Sequence, residues 1–136
     1  MQYYAVIDTN VLVSALLSNK SDSATVIILN KIFSKEIKVV YSQEIIEEYE
    51  DVLRRPKLKI PPRLANELII IVKKKGLPIV PHKTGEIIPD MKDLPFYEVV
   101  MEKKDDGAYL VTGNMKHFPR KPFIVTPREF LDIIDK

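Results

Sequence analysis

Short apolar runs alternate with helical stripes along these 136 residues, which predicts an α/β fold, a three-layer α/β/α sandwich around a central, mostly parallel sheet. Two observations carry the prediction. The opening run Tyr3-Tyr4-Ala5-Val6-Ile7 is almost continuously apolar, as expected of a strand covered on both faces. The segments between such runs carry their own helix caps and stops.

The elements follow in order. After the strand Tyr3 to Ile7, Val11, Leu12, Ala15 and Leu16 recur at helical spacing. Ser21-Asp22-Ser23 breaks that helix and caps a second one carrying Val26, Ile27, Ile32 and Phe33. Lys38 to Tyr41 reads as the second strand. Ser42 caps the next helix, whose Ile45, Ile46, Tyr49, Val52 and Leu53 form one apolar stripe until Pro56 interrupts it. Pro61 and Pro62 start another helix, ended by Gly76. Ile79 and Val80 predict a third strand, short and at an edge because Pro78 and Pro81 flank it. His82 to Lys92 reads as loop, and Phe96 to Met101 as helix. Strands are expected at Ala108 to Thr112 and at Phe123 to Val125, with a turn at Gly113-Asn114 between them. Thr126-Pro127-Arg128-Glu129 combines a cap, a proline at the first helical position and a glutamate at the third, which marks a final helix.

Size and composition bound the rest. The length suits one domain, 1–136, and 46% hydrophobic with 29% charged residues is the balance of a soluble globule. The apolar run Leu68 to Val72 falls far short of the roughly 20 residues of a membrane span. No basic segment precedes an apolar one at the start, so a cytoplasmic location is expected. The absence of cysteine excludes disulfides and thiolate metal sites. A net charge of +2 does not announce a polyanion partner, but basic residues cluster at Arg54 to Arg63, at Lys73 to Lys75, and at Lys116, His117, Arg120 and Lys121.

In such a fold the usable crevice lies beyond the carboxyl ends of the strands, so the strand-to-helix junctions hold the candidates. Asp8 follows the first strand, Glu44 to Asp51 is an acidic stretch after the second, Asp93 opens the helix before the fourth, and Asn114 follows the fourth. Carboxylates that converge repel one another unless a cation offsets them, and hard divalent cations take oxygen ligands. A magnesium-type site with an activated water suits attack on a phosphodiester. Each residue also has a plain structural reading. Asp8 and Asp93 both suit a helix N-cap, and the glutamates suit a solvated face. At about 100° per residue, Glu47 and Asp51 lie opposite the apolar stripe while Glu48 and Glu50 flank it, and Glu48 is nearer the crevice. Asp90 and Glu98 read as surface. His82 and His117, far apart and without zinc spacing, read as surface or loop residues. Neither a Gly-rich phosphate loop nor a Gly-x-Ser-x-Gly elbow is present.

Taken together, Val6-Ile7-Asp8-Thr9-Asn10-Val11-Leu12, Glu47-Glu48-Tyr49 ahead of Val52-Leu53-Arg54-Arg55-Pro56-Lys57, Asp93-Leu94-Pro95-Phe96-Tyr97 and Tyr109-Leu110-Val111-Thr112-Gly113-Asn114 resemble the PIN-domain family. The likeness is greatest to the branch described as toxin components of toxin-antitoxin systems, and it runs from Val6 to Thr126. The resemblance implies a metal-dependent endoribonuclease acting on single-stranded RNA with magnesium or manganese. It implies that Asp8, Glu48 and Asp93 hold the metal, supported by Thr9, Asn10 and Thr112, and that an antitoxin protein covers the crevice of a homodimer. Asn114 stands where many relatives carry a fourth aspartate, so one negative charge is missing. Arg54, Arg55 and Lys116 are the expected RNA contacts. Two rivals remain: a catalytically weak PIN-fold module that binds RNA or protein, and a small-molecule phosphohydrolase of another α/β fold.

Overall fold

The computed structural model describes residues 2–135. Strand β1 (Tyr3–Ile7) leads through α1 (Thr9–Leu17) and α2 (Ala24–Phe33) to β2 (Ile37–Tyr41). Helices α3 (Gln43–Leu53) and α4 (Pro62–Lys75) lead to the two-residue β3 (Leu77–Pro78). A long loop then precedes α5 (Leu94–Lys103), β4 (Tyr109–Val111), β5 (Ile124–Val125) and α6 (Pro127–Ile134). The strands form one sheet in the order β3-β2-β1-β4-β5, with every neighbouring pair parallel. The sheet expected to be mostly parallel is wholly so.

The central position of β1 explains its unbroken apolar run, because Ala5, Val6 and Ile7 are buried between helical layers. Helices α2, α3 and α4 pack on β2, and α6 packs on β4 and α2. The Tyr3 hydroxyl donates to the Ile134 carbonyl of α6 at 3.3 Å. Tyr109, paired with Ala5 across the sheet, sets its ring 5.9 Å from that of Phe130. Helix α5 packs against β1, β2 and β4. At the start of α6, Thr126 Oγ1 accepts from the Glu129 N–H and Glu129 Oε1 accepts from the Thr126 N–H, which completes the expected capping box.

Two expectations shift. The third strand is Leu77–Pro78, not Ile79-Val80, and it pairs with Val40 and Tyr41. Its proline is tolerated because β3 is the sheet edge and donates nothing outward at that residue. Val80 is left 93% exposed. The register starts early because of Gly76. A Cβ there would lie 2.4 Å from the Val72 carbonyl oxygen and 2.6 Å from that of Val39. Only glycine lets α4 end this close to β2.

Glu98, expected on the surface, is buried, and its Oε2 accepts from the Thr84 N–H at 2.9 Å. It belongs to a row of α5 side chains that hold the long loop. The Tyr97 hydroxyl donates to Glu86 Oε1 at 2.9 Å, and Glu102 Oε1 accepts from the His82 N–H at 3.0 Å. Burial, with the Glu86 carboxylate beside it, pushes Tyr97 up to about 12, so it remains a donor. This loop then descends to Asp90 at the edge where the strands end.

Candidate active site

Strand order reverses between β1 and β4, since β1 continues to β2 on one side while β4 lies on the other. A crevice opens beyond the carboxyl ends of strands at such a point. Asp8 stands at the end of β1 and Thr112 at the end of β4, and the two meet there. The Asp8 N–H donates to the Val111 carbonyl at 3.0 Å, and Thr112 Oγ1 donates to Asp8 Oδ2 at 2.7 Å. The Asn114 N–H in turn donates to Thr112 Oγ1 at 2.9 Å, which aims the threonine proton at Asp8. Asp8 Oδ1 also accepts from the Asn10 N–H at the start of α1. Asp8 therefore caps α1 with one carboxylate oxygen while Thr112 holds the other.

Glu48 comes from the second turn of α3, whose start is fixed by Ser42 accepting from the Ile45 N–H. Thr9, buried at the start of α1, donates its hydroxyl to Glu48 Oε2. Neighbouring Tyr49 is fully buried and donates to the Ile7 carbonyl at 2.5 Å, which ties α3 to the end of β1. Glu47 and Asp51 are exposed while Glu48 and Glu50 are half-buried, as the helical arithmetic required. Glu50 is paired with Lys73 and Arg54. Glu48 faces Thr9 instead.

Asp93 closes a 3-10 turn, Met91–Asp93, just ahead of α5. Its side chain makes no capping hydrogen bond to α5. It meets His117, whose Nδ1 lies 2.8 Å from Asp93 Oδ2 and 3.4 Å from Asp90 Oδ2. Asp90 caps the same turn by accepting from the Lys92 N–H at 3.1 Å. Ligand atoms of Asp90, Asp93 and His117 all lie within 4.8 Å of one another, a spacing that can hold one ion. His117, expected as a surface or loop residue, does lie on a short turn with its side chain 39% exposed, and there it meets Asp93. Asp93 and His117 are 24 positions apart, and only the docking of the Met115–His117 turn beside α5 joins them. Its one sequence signal was the turn just past the fourth strand.

The electrostatics link the two groups. Burial raises the Asp8 carboxyl above its ordinary value, and the charges of Asp93 and Glu48 add to this against the lowering hydrogen bonds from Thr112 and Asn10. Burial, with the charges of Asp8 and Glu48, likewise pushes the Tyr49 hydroxyl well up. Among the described residues, no Lys or Arg forms an ion pair with Asp8, Glu48 or Asp93. Among the described residues the group with ligand atoms within 4.8 Å of one another is Asp90, Asp93 and His117, a set whose oxygens suit a hard divalent cation, while Asp8 and Glu48 lie outside that spacing and join Asp93 through the charges that act on Asp8.

The remaining expected residues lie around this centre. Asn10 is exposed on α1 and Asn114 is half-exposed after β4. Arg54 is engaged by Asn66 at 3.0 Å and Glu50 at 3.7 Å, and Arg55 by Asp51 at 2.8 Å. Lys116 is exposed on the same turn as His117. No helix among the described residues is long and apolar enough to cross a membrane.

The model of one family, described as the PIN domain, matches residues 4–116. No curated protein and no solved structure matches the chain.

Proposed function

The chain belongs to the PIN-domain family, and from that premise we propose that it is a metal-dependent endoribonuclease cutting single-stranded RNA. The observation that carries this reading is the buried Asp8 carboxyl at the point where strand order reverses, held by Thr112 and the Asn10 N–H, with Glu48 bonded to the adjoining Thr9 and, among the described residues, no Lys or Arg paired to Asp8, Glu48 or Asp93. In this reading Asp8, Glu48 and Asp93 hold the ion. Thr112 and Thr9 fix the orientation of Asp8 and Glu48, with Asn10 supporting Asp8 through its backbone N–H. Asn114 completes the rim as a neutral amide. A magnesium or manganese ion bound there supplies positive charge to phosphate oxygens and lowers the pKa of a bound water. The chain's own contribution is to keep three acceptors oriented in a partly dry crevice, so that little rearrangement accompanies binding.

Incubating the purified protein with single-stranded RNA tests the reading. Cleavage is expected with magnesium or manganese, and loss of it in EDTA and in Glu48→Gln. Cleavage that survives EDTA would overturn the metal assignment. Absence of cleavage with either ion would leave the second reading, an RNA- or protein-binding module, which Asn114 favours by removing a charge from the site. The toxin role, a homodimer and an antitoxin lying over the crevice are part of the proposal. They are tested by co-expression with the product of any small neighbouring reading frame, which is expected to abolish cleavage.

A further inference from the structure

A cleft of about 750 Å³ opens at the same sheet edge, one strand beyond the acidic cluster. The turn Met115–His117 is shared between them. Its His117 contacts Asp93, while its Met115 and Lys116 line the cleft. The opposite wall is the end of β5 and the start of α6, Val125 and Thr126. Register fixes the distance between the two sites, because the Thr112 N–H donates to the Val125 carbonyl at 3.0 Å while the Thr112 hydroxyl bonds Asp8. Adjacent strands lie about 4.8 Å apart, so the cleft opens within roughly two strand spacings of Asp8.

Three cations line it: Lys116, Arg120 and Lys121, all exposed. Among the described residues none of them forms an ion pair. Glu129, the acid on the wall, already accepts from the Thr126 N–H in its capping box. The apolar floor includes Phe118 and Ile124, both buried. Unpaired cations over an apolar floor match a chain of phosphates carrying flat bases. The arginines at the end of α3 are different, since acids or an amide already occupy them. Most of the cleft, from Phe118 onward, lies outside the span matched by the family.

We propose that this cleft binds the ribonucleotides on one side of the cleaved bond, with Lys116, Arg120 and Lys121 on their phosphates. The inference rests on the nuclease reading and says which way the strand leaves the acidic cluster.

The test is binding of a short fluorescein-labelled single-stranded oligoribonucleotide of mixed sequence to the full chain, followed by anisotropy over a range of salt in EDTA. The variants are Lys116→Gln with Arg120→Gln and Lys121→Gln, and separately Arg54→Gln with Arg55→Gln. The triple variant is expected to bind at least about tenfold more weakly, with a log-log salt slope shallower by about 2, at roughly 0.7 for each lost phosphate contact. The double variant is expected to lose less affinity and less salt slope than the triple, since acids or an amide already engage both arginines. Thermal melts of all three proteins are expected to coincide, and the single variant Lys121→Glu repeats the test if the triple does not fold. Wild-type affinity and slope in the triple variant would overturn the cleft while leaving magnesium-dependent cleavage to judge the nuclease reading. RNA-free behaviour of the wild type, or tighter binding of an oligoglutamate peptide that displaces the RNA, would also overturn it and mark the cleft as a protein-docking surface.

Discussion

The two halves of the acidic cluster are built differently. Asp8, Thr9, Glu48 and Thr112 sit on a central strand, on the helices after β1 and β2, and at the neighbouring strand end, with Asp8, Thr9 and Thr112 buried. Their hydrogen bonds cross between elements far apart in the chain. Asp90, Asp93 and His117 sit on two short 3-10 turns and are half-exposed. The sheet half is fixed by the fold before any ligand arrives, at the cost of a buried carboxyl. The turn half is cheaper to form and easier to move. A site of this design gains its orientation from one side and its adaptability from the other.

The sharpest test of that contrast is Glu48→Gln against Glu47→Gln and Asp51→Asn. Cleavage rates of single-stranded RNA are expected to fall more than about a hundredfold in the first and to stay near wild type in the others, since only Glu48 faces Thr9 and Asp8. Equal losses in all three would remove the distinction between faces of α3.

Next in size are the supporting groups. Manganese affinity measured by titration calorimetry is expected to fall about 10- to 100-fold in Thr112→Val, which takes the hydroxyl from a buried carboxylate. In His117→Ala the loss is expected to be less than about tenfold, because water can replace a donor at a half-exposed carboxylate. A larger loss at His117 than at Thr112 would reverse the assignment of rigid and adaptable halves.

A smaller effect, read as stability, concerns Asp8 itself. Removing its charge is expected to raise the melting temperature in EDTA by about 4 °C for each kcal/mol of repulsion and desolvation relieved. Added magnesium is expected to stabilise this Asp8→Asn protein much less than wild type, because an ion stabilises only by binding the folded state.

The smallest effect is its pH dependence. The folded-state pKa of Asp8 is raised, so protonation favours folding, and this contribution is present at low pH and lost as pH rises through the folded value. The gap in melting temperature between Asp8→Asn and wild type in EDTA is therefore expected to close on acidification through the carboxylate range. A gap that widens on acidification would mean that Asp8 is stabilised as the anion.

These halves also differ in how far the sequence revealed them. The strand ending at Val6-Ile7 was legible because a continuous apolar run marks a buried parallel strand, whereas position alone left Asp8 open between a cap and a ligand. Glu48 was separable from Glu47 because helical rotation alone decides which flanks the stripe. His117 and Glu98 were not legible. Their surroundings depend on where the loop before α5 and the turn after β4 dock, and neither segment carries a period. The third strand was displaced by two residues because the pattern of prolines was visible and the close approach at Gly76 was not.

The position of β1 has a consequence in time. It precedes the other strands of this sheet and occupies its middle, and the residue that bonds Asp8 at its end, Thr112, lies 104 positions later. Contacts of such separation form late, since a long loop must close before they can repay it. During synthesis β1 and β2 can pair early, but Asp8 keeps one side open until β4 arrives. On the proposed activity, an incomplete chain emerging amid ribosomal RNA carries no assembled nuclease. The connectivity of the sheet itself delays the cutting edge until β4 has been made.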